Sequence, residues 1–85
     1  MSYHLYIVRC RDGTLYTGTA ADLDKRIATH NAGRGARYTR PRLPVTLVYH
    51  EVCADKSEAL RREIAVKRLT RAQKLELIRQ SRGGE

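Results

Sequence analysis

Hydrophobic and polar positions alternate with a period of two in three stretches of the chain and recur every three to four residues in three others. Tyr3 to Arg9 and Thr14 to Thr19 are rich in aromatic and β-branched residues and predict two strands joined at Arg11-Asp12-Gly13. A two-residue Asp12-Gly13 loop would put Tyr6 and Tyr16 on opposite faces of the sheet. A three-residue loop with Gly13 left-handed pairs Cys10 with Thr14, and then Tyr16 opposes Val8, Gly18 opposes Tyr6, and both tyrosines share a face. The three-residue loop is preferred, because it gathers Leu5, Ile7 and Leu15 onto one clean apolar face. The tyrosines then lie about 7–8 Å apart on a diagonal. Gly18, with no side chain, leaves room above its backbone, which marks that face as a shallow site.

The next period is helical. In "AADLDKRIATHNAGRG", Asp22 is an N-cap, Gly33 a stop, and Leu23 and Ile27 the buried stripe. Arg26 and His30, four apart, stack beside that stripe. Gly33 to Pro44 is a basic loop holding four arginines, of a composition that often meets ligands. Val45 to Cys53 predicts a third strand. "DKSEALRREIAVKRL" predicts a second helix with Asp55 and Glu58 in capping-box spacing, Leu60 and Ile64 facing the core, and Glu63 and Lys67 four apart beside them. Thr70 and Gln73 repeat the capping box at a short third helix with Leu75 and Ile78 inward. The expected fold class is α+β: a small three-stranded antiparallel sheet flanked by about three helices, in the order β-β-α-β-α-α. Residues 1–80 form one domain and 81–85 a flexible tail.

Length and charge narrow the chemistry. Eighty-five residues with 41% hydrophobic content allow one thin core. Seventeen Lys and Arg against nine Asp and Glu leave a formal charge of +8. The excess is mostly arginine, suited to bidentate contact with phosphate, so nucleic acid is the first partner to expect. Cys10 and Cys53 lack the spacing of a zinc site or a disulfide framework and read as buried free thiols. No signal peptide or long apolar run is present, so a cytoplasmic protein with no membrane partner is expected. The P-loop and the Rossmann glycine pattern are absent, and no small-molecule cofactor is implied. His4, His30 and His50 are too scattered for a zinc cluster.

What remains is a set of polar residues on elements that should pack together: Tyr6, Tyr16, Arg26, His30 and Glu63. Each alone has an ordinary structural explanation. In order, they resemble the GIY-YIG nuclease superfamily. Leu5-Tyr6-Ile7 matches the first motif with His4-Leu5 in place of its Gly-Ile, and Tyr16-Thr17-Gly18 matches the second. The family arginine falls on Arg26, a histidine seen in several branches on His30, and the metal-binding glutamate, after an Ala-Leu pair in "ALRRE", on Glu63. The chain looks most like the small stand-alone bacterial members, the YhbQ-like or UPF0213 group. Thr19 and Ala20 stand where some members carry a lysine, and no asparagine follows Asn31 where others have a late one.

The resemblance implies a metal-dependent endonuclease with one Mg²⁺ or Mn²⁺ ion on Glu63, leaving a 5′-phosphate and a 3′-hydroxyl. Arg26 would clamp the non-bridging oxygens, and Tyr6 would act as general base or orient the water. Tyr16 would position water or phosphate, and His30 would assist proton transfer. Arg26, His30 and the metal would supply the cationic field that ionises Tyr6. Gly18, Lys67 and the Arg34, Arg37, Arg40 and Arg42 cluster would contact DNA, with Tyr38 either stacking on an unpaired base or anchoring the loop. No recognition helix or zinc finger is present, so selection by structure or strandedness is expected, as in repair, recombination or DNA uptake. A non-catalytic nucleic-acid-binding module, or an RNA-processing or ribosome-associated protein, is the alternative.

Overall fold

The computed structural model describes residues 2–82. Strand β1 (Tyr3–Arg9) lies at the centre of a three-stranded antiparallel sheet, between β2 (Leu15–Ala20) and β3 (Thr46–Cys53). Helix α1 (Leu23–Asn31) follows β2. Helices α2 (Lys56–Lys67) and α3 (Arg71–Arg82) follow β3. The expected α+β order is therefore the observed one. Helix α3 runs on through Ser81 and Arg82, where a tail was expected, and residues 83–85 lie outside the described residues. Among the described residues no helix is long and apolar enough to cross a membrane.

The hairpin takes the three-residue form. Cys10 N–H donates to Thr14 O at 2.8 Å, Gly13 N–H donates to Cys10 O at 2.9 Å, and Gly13 has φ +86°. The register follows: Tyr6 opposes Gly18 and Val8 opposes Tyr16. Both faces of β1 are nevertheless buried. Leu5 and Ile7 pack with Cys53, Ala59, Val66 and Ile78. Tyr6 and Val8 pack with Cys10, Ala20 and Val45, against Leu23 and Ile27 of α1. The tyrosine face is thus a second core, not the shallow surface that Gly18 suggested. Cys10 and Cys53 are free, buried thiols. Across from β2, a bulge at Val48 lets Tyr49 oppose Ile7 while Leu47 opposes Val8.

Asp22 caps α1, accepting from Lys25 N–H, and Gly33, left-handed at φ +79°, ends it. Asp55 and Thr70 cap α2 and α3, accepting from Glu58 N–H and Gln73 N–H; Gln73 completes its box on Thr70 N–H, while Glu58 reaches one residue further back, to Ala54 N–H.

The inward faces of α2 and α3 differ from the expectation. Leu60, Ile64 and Leu75 are 41%, 55% and 43% exposed. The stripe of α2 that meets the sheet runs through Ala59, Arg62, Glu63 and Val66 instead, about 100° around the helix from Leu60 and Ile64. Small Ala59 brings the helix close to the sheet. Arg62 holds the rotation with a forked bond to Glu51 on β3, at 2.8 and 2.7 Å. Leu60 and Ile64, on the other side of the helix, are left partly in water.

Tyr49 donates its hydroxyl to the same carboxylate. Burial, reinforced by Glu51, pushes its phenol up to about 12, while the Arg62 fork holds the Glu51 carboxyl below its ordinary range. An unfolded tyrosine titrates near 10. The raised folded value means that this stabilisation is fully present below about pH 10 and is lost as pH climbs toward 12. Urea unfolding of Tyr49→Phe should therefore show a flatter decline across that window than the parent chain. Identical slopes would show that Tyr49 keeps its proton for another reason.

Candidate active site

The site grows from the close approach of Tyr6 to Gly18. A Cβ on Gly18 would lie 2.6 Å from the Tyr6 hydroxyl oxygen and 2.8 Å from its Cζ. The space above the glycine is therefore filled by the Tyr6 ring, and Gly18, buried beneath it, is not open to a nucleic acid as expected. Tyr6 itself is only 1% exposed.

Helix α1 brings two side chains to that hydroxyl. Tyr6 Oη lies 2.8 Å from His30 Nε2, and Arg26 Nε–H donates to Tyr6 Oη at 3.3 Å. On its other side His30 Nδ1 lies 3.0 Å from Thr39 Oγ1, whose own proton goes to Ala36 O at 2.9 Å. A hydroxyl has one proton to give. Nδ1 must then carry the hydrogen, Nε2 must be the bare nitrogen, and Tyr6 must donate to it. Thr39 thus sets the tautomer of a fully buried histidine. After these bonds the Tyr6 oxygen retains one acceptor lone pair.

Burial, then Arg26, drives the His30 imidazole below its ordinary value. His30 is a neutral base and not part of a cationic field. Burial likewise raises the Tyr6 phenol, with the Arg26 bond and charge pulling it partway back. Arg26 and His30 alone therefore do not ionise Tyr6: desolvation outweighs Arg26, and His30 has no charge to add.

Tyr16 meets the His30 ring edge-on, with centroids 5.6 Å apart. It also stacks on Tyr38, at 6.1 Å and 17°. The Arg42 guanidinium sits 4.0 Å above the Tyr38 ring, its Nε donates to Asp12 at 3.0 Å, and its NH1 donates to Tyr38 O at 2.7 Å. Tyr38 and Arg42 are therefore anchors fastening the basic loop to the hairpin. Asn31 fastens its far end, bonding both backbone groups of Val45 at 3.1 and 2.7 Å. Arg34, Arg37 and Arg40 remain exposed and make no ion pair among the described residues.

Glu63 arrives on α2, which packs on the Leu5–Ile7 face, the opposite side of the sheet from α1. Its carboxylate is mostly buried and pairs with Lys67 Nζ at 3.2 Å. Among the influences on the Tyr6 phenol, Glu63 is the smallest, and its negative charge raises it. Among the described residues no three or more His, Cys, Asp or Glu side chains gather as metal ligands. A single hard oxygen donor suits an ion that keeps most of its water and takes the rest of its ligands from substrate phosphate. His4, in place of the motif glycine, has its ring 6.0 Å from that of His50.

Two residues of the site were not singled out from sequence: Thr39, and Gly35, where a Cβ would fall 2.3 Å from His30 Nδ1. Their only signal was membership of the Gly-rich "GRGARYT" loop.

Comparison with known proteins bears on the family and the fold. The model of the GIY-YIG catalytic domain matches residues 2–76. A UPF0213 protein of Staphylococcus haemolyticus is 54% identical over 76 residues, covering 89% of this chain and 93% of the relative. One from Staphylococcus aureus is 53% identical over 79 residues, covering 93% and 96%. A solution NMR structure of a UPF0213 protein from Bacillus halodurans superposes with a TM-score of 0.59 at 45% identity, over 92% of this chain and 83% of that one. The solution NMR structure of a protein from E. faecalis gives 0.60 at 35%, over 91% and 83%. The shared motif order, the fold and these relatives establish that the chain belongs to the GIY-YIG family, within its small UPF0213 group.

Proposed function

We propose that this protein is a metal-dependent endonuclease that hydrolyses phosphodiester bonds in DNA, selecting substrates by structure or strandedness. The observation that carries this reading is the buried chain Tyr6–His30–Thr39 with Arg26 donating into it. A fold needs no such arrangement: it places a polar relay, with a fixed tautomer, at the centre of a small core.

The relay can move a proton. A water bonded to the free acceptor position of Tyr6 gives its proton to Oη as the Tyr6 proton passes to His30 Nε2, and Nδ1–H stays on Thr39. The attacking hydroxide then forms its bond to phosphorus as the bond to the 3′ oxygen breaks. Arg26, already at the phenol, holds the non-bridging oxygens where negative charge grows. Glu63 would hold the divalent ion, Mg²⁺ or Mn²⁺, which when bound would polarise the phosphate and stabilise the departing oxygen. The exposed Arg34, Arg37 and Arg40 hold the strand through its phosphates without reading sequence.

The test is a panel of labelled single-stranded, duplex, flap and junction DNAs, with matched RNAs, incubated with Mg²⁺ or Mn²⁺ beside Glu63→Gln. Nicking of DNA by the parent and not by the variant is expected. Because His30 works as a neutral base, its acid limb should have a midpoint below the ordinary histidine value of about 6.5. Binding without cleavage under every metal condition would leave a nucleic-acid-binding module, and preferential cleavage of RNA would move the substrate class.

A further inference from the structure

A hollow of about 310 Å³ opens at the outer edge of β2, lined by Leu15, Tyr16, Thr17, Tyr38, Lys67 and Lys74. None of the relay's proton-carrying groups lies in it, yet Tyr16 borders both this hollow and His30. Two ammonium groups reach it from different helices, Lys67 from α2 and Lys74 from α3. Lys67 also touches Glu63, so the hollow adjoins the carboxylate assigned to the ion. Lys74 forms no ion pair among the described residues.

The second observation is Thr17. It is 3% exposed, and its Oγ1 is buried with no hydrogen-bond partner among the described residues. A buried hydroxyl left unpaired is costly, and valine would fill the same volume without that cost. Thr17 lines the hollow together with the two lysines, and a hydroxyl with two ammonium groups is the chemistry of an anion site. The stacked faces of Tyr16 and Tyr38 are already engaged with each other and with Arg42. That leaves little ring surface for a base, so the ligand is a phosphate and not a nucleobase.

We infer that Lys67, Lys74 and Thr17 form a phosphate subsite, which holds a backbone phosphate of the nucleic-acid strand next to the one at Tyr6 and Arg26. This rests on the nuclease reading for the identity of the strand. It adds a contact supplied by α3 that none of the family motifs contains.

Lys74 is the residue to vary, since Lys67 also serves Glu63. Binding of a labelled single-stranded DNA is followed by fluorescence anisotropy in EDTA, where cleavage plays no part, at several salt concentrations. Loss of one phosphate contact should reduce the slope of log K against log salt by about 0.7 in Lys74→Ala. Affinity at low salt should fall several-fold, and Lys74→Arg should restore both. Inorganic phosphate at matched concentration should compete poorly, because a strand brings neighbouring phosphates to the arginines as well. Unchanged affinity and slope in Lys74→Ala would overturn the subsite. Strong competition by inorganic phosphate would overturn its assignment to a strand. The nuclease reading stands or falls separately, on whether the parent chain cuts DNA when metal is supplied.

Discussion

Replacing Tyr6 with phenylalanine should lower the rate of DNA cleavage by about 10²–10⁴-fold, the usual scale for losing a positioned proton-transfer group. The change removes one oxygen and keeps the ring that fills the space over Gly18. Packing against Gly18 is therefore preserved, and what is lost is the bridge between Arg26 Nε and His30 Nε2, at 3.3 and 2.8 Å. His30 Nε2 is then buried without a donor, at a cost of about 1–3 kcal/mol. A thermal melt run beside single-turnover cleavage separates the two effects. A variant that stays folded at assay temperature and cuts as fast as the parent would remove Tyr6 from the chemistry. One that stays folded and is slow, with strand binding kept, places the phenol in the transition state.

Gly35→Ala should be more damaging than its size suggests. The added Cβ would meet His30 at three atoms, Nδ1 at 2.3 Å and both Cα and Cγ at 2.8 Å. The imidazole could swing, but the Cα belongs to the last turn of α1 and cannot yield without moving the helix. The loop must shift instead, and overpacking of this kind costs about 1–3 kcal/mol. For a domain of this size each kilocalorie lowers the melting temperature by roughly 4–8 °C. Functionally, the shift pulls Thr39 away from Nδ1, and the imidazole loses the contact that decides which nitrogen carries its hydrogen. Cleavage should fall together with the melting temperature, and nitrogen NMR of the imidazole should report a mixture of tautomers. An unchanged melting temperature with a single tautomer would mean that the loop accommodates a side chain and that the close approach is not needed.

The parts of this protein legible in its sequence are those decided within a few residues. Gly13, with the alternation on either side of it, set the three-residue hairpin and through it the shared face of Tyr6 and Tyr16. Asp22, Asp55 and Thr70 marked the helix starts because a cap bonds its own first turn. The order of Tyr6, Tyr16, Arg26, His30 and Glu63 was enough to point to the family. Period alone does not say which way a helix is turned. Leu60 and Ile64 have helical spacing yet are largely exposed, while Ala59, Val66 and the Arg62–Glu51 fork lie on the side of α2 that meets the sheet; Leu75 on α3 is exposed as well. The role of His30 was likewise out of reach. Its neutrality comes from burial, and its tautomer from Thr39, nine residues away across a loop. The space opposite Tyr6 read as an opening because a glycine lacks a side chain, and only the folded chain showed that the tyrosine ring fills it. Local hydrogen bonds and hydrophobic periodicity determined the elements. Packing between elements decided which groups lost their water, and with it their charge and their chemistry.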